Sequence, residues 1–210
     1  MLLLIAGLVL FLGTHAFTML RGPRAALIAR VGEGPYKAGY SIAALLGLVL
    51  LGYGYGQYRA HDYVEVWSPP VWTRHLALLL VLLAFISFVA AYLPGRIKAR
   101  LKHPMLLGVK IWATAHLLAN GDLGSMILFG TILAWAVMAR ISAKRRDRSA
   151  KRRDGVERRD EVKPHGGPAA APAGWRNDAL AVVIGVAAWF VFARVLHPWL
   201  IGVAVWPGQA

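Results

Sequence analysis

The sequence predicts an all-α protein, a polytopic membrane bundle of about six transmembrane helices, and three observations support this prediction. Apolar residues make up 58% of the 210 residues and charged residues only 16%, and the mean hydropathy of +0.52 is well above that of a soluble domain. Uncharged stretches long enough to cross a bilayer recur along the chain. The formal charge is nevertheless +14, and its cations cluster between those stretches.

The six predicted spans follow from the apolar runs, taken in order. A helix needs about 20 mostly apolar residues to cross the hydrocarbon core of a bilayer. Five runs approach or exceed this length: 2–20, 38–58, 76–94, 123–139 and 179–205, the last interrupted only by Arg194 and His197. The run 105–118, the fourth in order, is weaker because Lys110 interrupts it. The basic loops alternate between the two sides only if this run is counted, so we expect six spans.

The distribution of Lys and Arg predicts the orientation. Of the 24 cations, 20 fall in the three segments that follow spans one, three and five, at 21–37, 96–102 and 140–176. Only Arg59 and Arg74 fall in the connections on the other side. Cytoplasmic loops carry such an excess of positive charge. We therefore expect the three basic loops in the cytoplasm and both termini on the outer, periplasmic side.

Three regions follow from this layout. We predict a five-helix membrane core at 1–141, a basic cytoplasmic loop with a Pro/Ala/Gly linker at 142–178, and a sixth helix with a C-terminal tail at 179–210. Up to residue 163 the loop is expected to continue span five as a solvated helix or to form a disordered arm, and 164–174 is typical of a flexible linker. The basic loops are expected to attract anionic lipids rather than nucleic acid.

The chain has no cysteine, which excludes disulfides, thiolate zinc sites, iron–sulfur clusters and cysteine nucleophiles. Chemistry is therefore expected from polar residues at membrane depth, which usually face the bundle interior because they are costly in lipid. His15 and His103 lie at one predicted depth, near the cytoplasmic ends of spans one and four. His116 lies about 20 Å further along span four, in the outer half.

Two histidines that converge in a membrane suggest a small set of sites. Zinc usually takes three or four ligands, and the sequence has no His-Glu-x-x-His motif. A b-type haem needs only two axial imidazoles, an apolar slot and cations near its propionates. His15 and His103 are the candidate ligands of the haem iron, and the candidate propionate partners are Arg21, Arg24, Arg100 and Lys102. Spacing alone leaves open that the two histidines simply form hydrogen bonds across helices.

Span four and its outer end carry further polar candidates: Lys110, His116, Asn120 and Asp122. They fall on two faces of the helix, so we expect span four to be buried among the other spans. Asn120-Gly121 is suited to ending one helix, and Asp122 is suited to capping the start of the next. These residues therefore predict a tight outer turn.

Span two contains the string Gly52-Tyr53-Gly54-Tyr55-Gly56. A phosphate-binding loop is not expected, because no strand precedes it. Gly52 and Gly56 are four residues apart and predict a small-residue surface for close helix packing.

Three strings resemble the NnrU family of membrane proteins. They are Gly13-Thr14-His15-Ala16 with Leu20-Arg21, Arg100-x-x-His103-Pro104, and the segment 115–122, Ala-His-Leu-Leu-Ala-Asn-Gly-Asp. The resemblance covers spans one to five. It implies a multi-pass protein of the bacterial inner (cytoplasmic) membrane with an accessory, redox or sensing role in denitrification and nitric oxide metabolism, working with redox or denitrification partner proteins.

The same superfamily includes the plant 15-cis-zeta-carotene isomerase, a haem b enzyme. The resemblance implies that His15 and His103 are the axial haem ligands and that His116 is a further family histidine. It also raises a second expectation, a haem-dependent cis–trans isomerase of a polyene, although a cysteine-based ligand exchange cannot operate in this chain. A third alternative is a transporter or assembly factor without a cofactor, using Lys110, His116 and Arg194 as buried polar contacts. The sequence identifies no catalytic residue.

Overall fold

The structure, a computed structural model, describes residues 1–160 and 174–206. In order, the helices are α1 (Leu2–Phe17), α2 (Arg21–Val31), α3 (Glu33–His61), α4 (Val71–Ala90), α5 (Arg96–Leu101), α6 (Pro104–Ala119), α7 (Leu123–Asp160), α8 (Trp175–Val191) and α9 (His197–Ile201). A π-helical turn, Phe192–Leu196, joins α8 to α9. The predicted all-α class is confirmed.

Four helical segments are long and apolar enough to cross a membrane: α3, α4, the first 28 residues of α7, and the 27 residues from Trp175 to Ile201. The pair α1 and α2 passes the same test together, although it is bent by 88°. The apolar helix α6 has only 16 residues, about 24 Å of rise. A membrane helical bundle fits these helices, and the count of six spans and the side of the termini remain predictions.

The first basic connection, predicted as a loop, forms the helix α2. It has no buried residue, and it carries Arg21, Arg24 and Arg30. Pro23 lies in its first turn, where a missing N–H costs no helix hydrogen bond. The sharp bend after α1 places a short basic helix across the end of the bundle instead of a flexible connection.

The long helices pack in the spatial order α3, α1, α7, α6, α4, α8. α7 lies between α1 and α6, and its Leu128, Phe129 and Ile132 form one buried cluster with Leu4 of α1 and Ala113 of α6. No residue of α6 is exposed. The predicted burial of span four among the other helices is therefore confirmed.

Glycines bring α1 and α3 into backbone contact. A Cβ atom at Gly7 would meet the backbone of Leu51, one at Gly47 would lie 2.7 Å from the Phe11 nitrogen, and one at Gly54 would meet the backbone of Leu4. The prediction of Gly52 and Gly56 as the packing surface is wrong, because a Cβ atom at either position would meet nothing within 4 Å. Both residues lie on a different face of α3 from Gly47 and Gly54.

The two ends of the bundle are tied by different contacts. At the end that holds α2 and α5, which we call the basic end, the Ile97 N–H donates to Asp178 Oδ1 (2.9 Å) and the Asn177 side chain donates to the Pro94 carbonyl (2.7 Å). At the opposite end, the N–H groups of Val66 and Trp67 donate to the Gly121 carbonyl at 2.8 and 3.0 Å. These contacts fasten the connection 62–70 over the turn between α6 and α7.

Helix α7 continues well past its apolar part. Its 38 residues correspond to about 57 Å of helix, and the segment from residue 142 to residue 160 is helical throughout. Of the two predicted alternatives for this basic segment, the structure has the helix. The predicted linker, 164–174, lies outside the described residues except for Gly174, and the three-region division remains a prediction.

Candidate functional site

A cavity of about 390 Å³ opens at the end opposite the basic end. It is lined by residues of α3, α4, α6, α7 and the C-terminal segment, by which we mean residues 189–205, and most of these residues are apolar. His116 and His197, which are 81 positions apart in the sequence, both line this space. We call it the histidine cavity.

His116 is held in the wall of the cavity by one hydrogen bond and two aromatic rings. Its Nδ1–H donates to the Trp112 carbonyl one turn earlier (2.8 Å). Its ring stacks on Phe129 with centroids 4.5 Å apart and lies 4.7 Å from the Trp112 ring. Because a carbonyl can only accept, Nδ1 carries the proton and Nε2 keeps its lone pair.

His197, in the C-terminal part of the chain, is likewise held by a hydrogen bond from Nδ1 to a backbone carbonyl. It follows the π-helical turn Phe192–Leu196, and its Nδ1–H donates to the Val203 carbonyl (3.0 Å). Single π-helical turns often occur at functional sites because they redirect the residues that follow. Here too, Nε2 is left with a lone pair.

Polar side chains line the histidine cavity beside the imidazoles. Arg59 at the end of α3 and Arg74 at the start of α4 are both among its lining residues. Asn120 also lines it and donates to the His116 carbonyl (2.8 Å), while Tyr55 contacts Ser125 (2.6 Å between oxygens). The cavity therefore combines an apolar body, two imidazoles and two guanidinium groups, which suits an apolar ligand that carries carboxylates.

His15 lies elsewhere, near the basic end. Its Nδ1–H donates to the Phe11 carbonyl (2.7 Å), and its ring lies 5.7 Å from the Tyr40 ring and 5.6 Å from the Trp135 ring. Tyr40 also lines a second cavity of about 580 Å³, which we call the basic cavity. The remaining residues that line the basic cavity are Thr18, Met19, Arg21, Arg24, Tyr36, Lys37 and Arg146.

His103 occupies a third location. It is the N-cap residue of α6, and its Nε2 lies 2.9 Å from Asp147 Oδ2 of α7. Two of the cations predicted to bind the haem propionates, Arg100 and Lys102, are exposed on α5 and just after it. One ring nitrogen of His103, Nε2, is thus paired with a carboxylate.

The structure does not bring His15 and His103 together. His15 contacts α7 at Trp135 and His103 contacts it at Asp147. These two positions are about 18 Å apart along the helix. Two axial ligands of one metal ion each bond to it at about 2 Å. The pairing of these histidines on one haem iron remains a prediction, and the four cations assigned to it are divided between α2 and the α5 region.

The remaining predicted candidates lie on α6 and at its end. Lys110 is partly buried within α6. Asp122 is 4% exposed, and its Oδ1 accepts the Ser125 N–H (2.8 Å), so the predicted cap at the start of α7 is confirmed. The backbone N–H of Asn120 donates to the His116 carbonyl (3.0 Å), which closes α6 as expected for the tight turn.

The sequence interpretation did not assign His197, Arg59 and Arg74 to a site. The sequence feature that could have linked His116 to His197 is their depth in the membrane, since both belong to the outer half of their predicted spans. The π-helical turn that redirects His197 has no recognisable sequence pattern. Within the described residues there is no cluster of three or more His, Cys, Asp or Glu side chains able to hold a metal ion.

Comparison with known proteins identifies a family for this chain. No curated protein and no solved structure matches it. The model of the NnrU family, described as NnrU protein, matches residues 3–205, which is nearly the whole chain. The protein therefore belongs to the NnrU family.

Proposed function

We propose that this NnrU-family protein is a membrane haem protein that binds haem b in the histidine cavity. The observation that carries the proposal is that two imidazoles line one apolar cavity, each with Nδ1 donating to a carbonyl and with Nε2 unbonded among the described residues. Histidine is a common axial ligand of haem iron, and a hydrogen bond at the second nitrogen fixes the ring and raises its basicity.

Each part of the cavity has a role in this proposal. His116 and His197 would hold the iron, and Arg59 and Arg74 would hold the propionates through charge-assisted hydrogen bonds. Phe129 and Trp112 fix the orientation of the His116 ring, and the apolar lining excludes water. When bound, the haem would supply one-electron chemistry, and a small gaseous ligand would bind only in place of one of the two imidazoles.

The biological role is proposed from the family together with the charge distribution. An accessory, redox or sensing role in denitrification and nitric oxide metabolism suits a gas-binding centre in the bacterial inner membrane. By the positive-inside rule, the basic end faces the cytoplasm. The histidine cavity then lies in the periplasmic half of the protein, where a periplasmic redox partner can approach it.

An absorption spectrum of protein purified from haem-replete cells tests the proposal. We expect a Soret band that is lost or strongly shifted in His116→Ala and in His197→Ala. His75→Ala is the matched control, because His75 is exposed on α4 near the same end of the bundle and does not line the cavity. Retention of the band in His15→Ala and His103→Ala is also expected. A colourless wild-type protein would contradict the haem proposal. Loss of the band only in the His15 and His103 variants would assign the ligands to those two histidines instead.

The isomerase alternative uses the same cavity and needs an additional observation. A polyene is a long apolar chain, and the lining of the histidine cavity is mostly apolar. Turnover of a cis-polyene in liposomes that requires reduced haem and His116 would favour the isomerase. Haem binding without turnover would favour the redox or sensing role.

A further inference from the structure

The basic cavity carries a second inference, which does not depend on the haem proposal. It lies between the end of α1, the helix α2, the start of α3 and the basic part of α7. Four cations, Arg21, Arg24, Lys37 and Arg146, line it, and no carboxylate does so among the described residues. So many positive side chains around one space repel each other unless an anion is present.

The nearby carboxylate of Glu33 forms an ion pair with only one of these cations among the described residues. Glu33 lies 2.8 Å from Lys37 Nζ, and both side chains are largely exposed. No ion pair forms at the three arginines within the described residues.

Tyr36 supplies the second, independent observation. Its side chain is 9% exposed, it lines the basic cavity, and its buried hydroxyl has no hydrogen-bond partner among the described residues. The Arg24 guanidinium lies 5.8 Å from the centre of the Tyr36 ring, which fixes both side chains at the wall. A buried hydroxyl without a partner is costly, so an acceptor in the cavity would stabilise it.

We propose that the basic cavity is a binding site for a phosphate group, either the headgroup of an anionic phospholipid or free phosphate. The guanidinium forks of Arg21, Arg24 and Arg146 suit the oxygens of a phosphate, and the Tyr36 hydroxyl donates one further hydrogen bond. Helix α2 is bent by 88° from α1 at the end of the bundle, an orientation that suits contact with phospholipid headgroups at a membrane surface.

Calorimetric titration of the purified, delipidated protein in a neutral detergent at fixed ionic strength tests the site. One arm uses a short-chain phosphatidylglycerol and the other uses inorganic phosphate. We expect Arg24→Gln to weaken binding about tenfold, because a charge-assisted hydrogen bond is lost. Tyr36→Phe should weaken it about threefold through loss of one neutral donor. Arg30→Gln, which removes an equal charge from α2 outside the cavity, should leave the affinity within about twofold.

The outcomes separate a built site from diffuse attraction. Binding of phosphatidylglycerol alone identifies a lipid headgroup site, whereas binding of inorganic phosphate as well identifies a site for the free ion; both support the proposal. Equal losses in Arg24→Gln and Arg30→Gln, unchanged affinity in Tyr36→Phe, or no binding by the wild type would overturn it. Arg146→Gln, on α7, repeats the charge test should the Arg24 variant fail to fold.

Discussion

The proton position on each histidine determines what that residue can do. His116, His197 and His15 all donate Nδ1–H to a carbonyl and keep Nε2 for a ligand, whereas His103 uses Nε2 on Asp147. From the sequence, His15 and His103 were indistinguishable in chemistry and similar in depth. The hydrogen-bond partners separate them, since His15 donates to Phe11 of its own helix whereas His103 contacts Asp147 of α7, and no spacing rule contains that second contact.

The cap at the start of α7 gives a prediction at a single residue. Asp122→Ala removes the oxygen that accepts the Ser125 N–H and leaves a buried donor without a partner. We expect the free energy of unfolding to fall by about 1 kcal/mol. Asp122→Asn keeps an acceptor at the same place and should retain most of the stability. Denaturant titration followed by circular dichroism measures both, and equal loss in the two variants would contradict a capping role.

At the scale of the helices, the glycines required for packing are those at which a neighbouring backbone comes too close for a Cβ atom. Gly→Ala within a helix is stabilising where the methyl group has room, by up to about 1 kcal/mol. It is destabilising where the methyl group would collide with a neighbouring backbone. The sequence pattern of glycines four residues apart did not reveal which face of α3 meets α1. That choice depends on how the two helices are rotated relative to each other.

Gly47 and Gly52 form a matched pair for testing the α1–α3 contact. We expect Gly47→Ala to destabilise the protein by about 1–3 kcal/mol, because the new Cβ would lie 2.7 Å from the Phe11 nitrogen. Gly52→Ala should be neutral or slightly stabilising, since nothing lies within 4 Å of its Cβ position. Thermal unfolding in detergent compares the two. If Gly52→Ala were the more harmful change, the α1–α3 packing described above would be incorrect.

For the whole molecule, hydropathy predicted the helices well, because burial in lipid is a local requirement that each segment meets alone. Three of the six predicted apolar runs, 38–58, 105–118 and 123–139, lie within single helices. The run 76–94 extends past the end of α4 at Ala90, and 179–205 lies in the α8–α9 segment and the residues after it. The run 2–20 extends past the end of α1, where the chain bends into α2. The site was less predictable, because it joins α3 and α6 to the C-terminal segment, and helix order in space does not follow order in sequence.

The orientation of the whole molecule can be tested with single cysteines, since the chain contains none of its own. Ser68→Cys lies in the connection at the opposite end and Ala99→Cys lies on α5 at the basic end, and both positions are exposed. With the basic end in the cytoplasm, a membrane-impermeant maleimide added to spheroplasts should label Ser68→Cys. It should label Ala99→Cys only after lysis. The reverse pattern would invert the proposed topology.

The π-helical turn and the carbonyl of Val203 also bear on the order in which the protein is made. His116 is synthesised and inserted with its neighbours well before the ribosome reaches the segment that carries His197. Until residues 192–203 have been added and folded back, the cavity has one imidazole and lacks part of its wall. On the haem proposal, a ligand that needs both imidazoles would therefore be captured only after this late segment is in place.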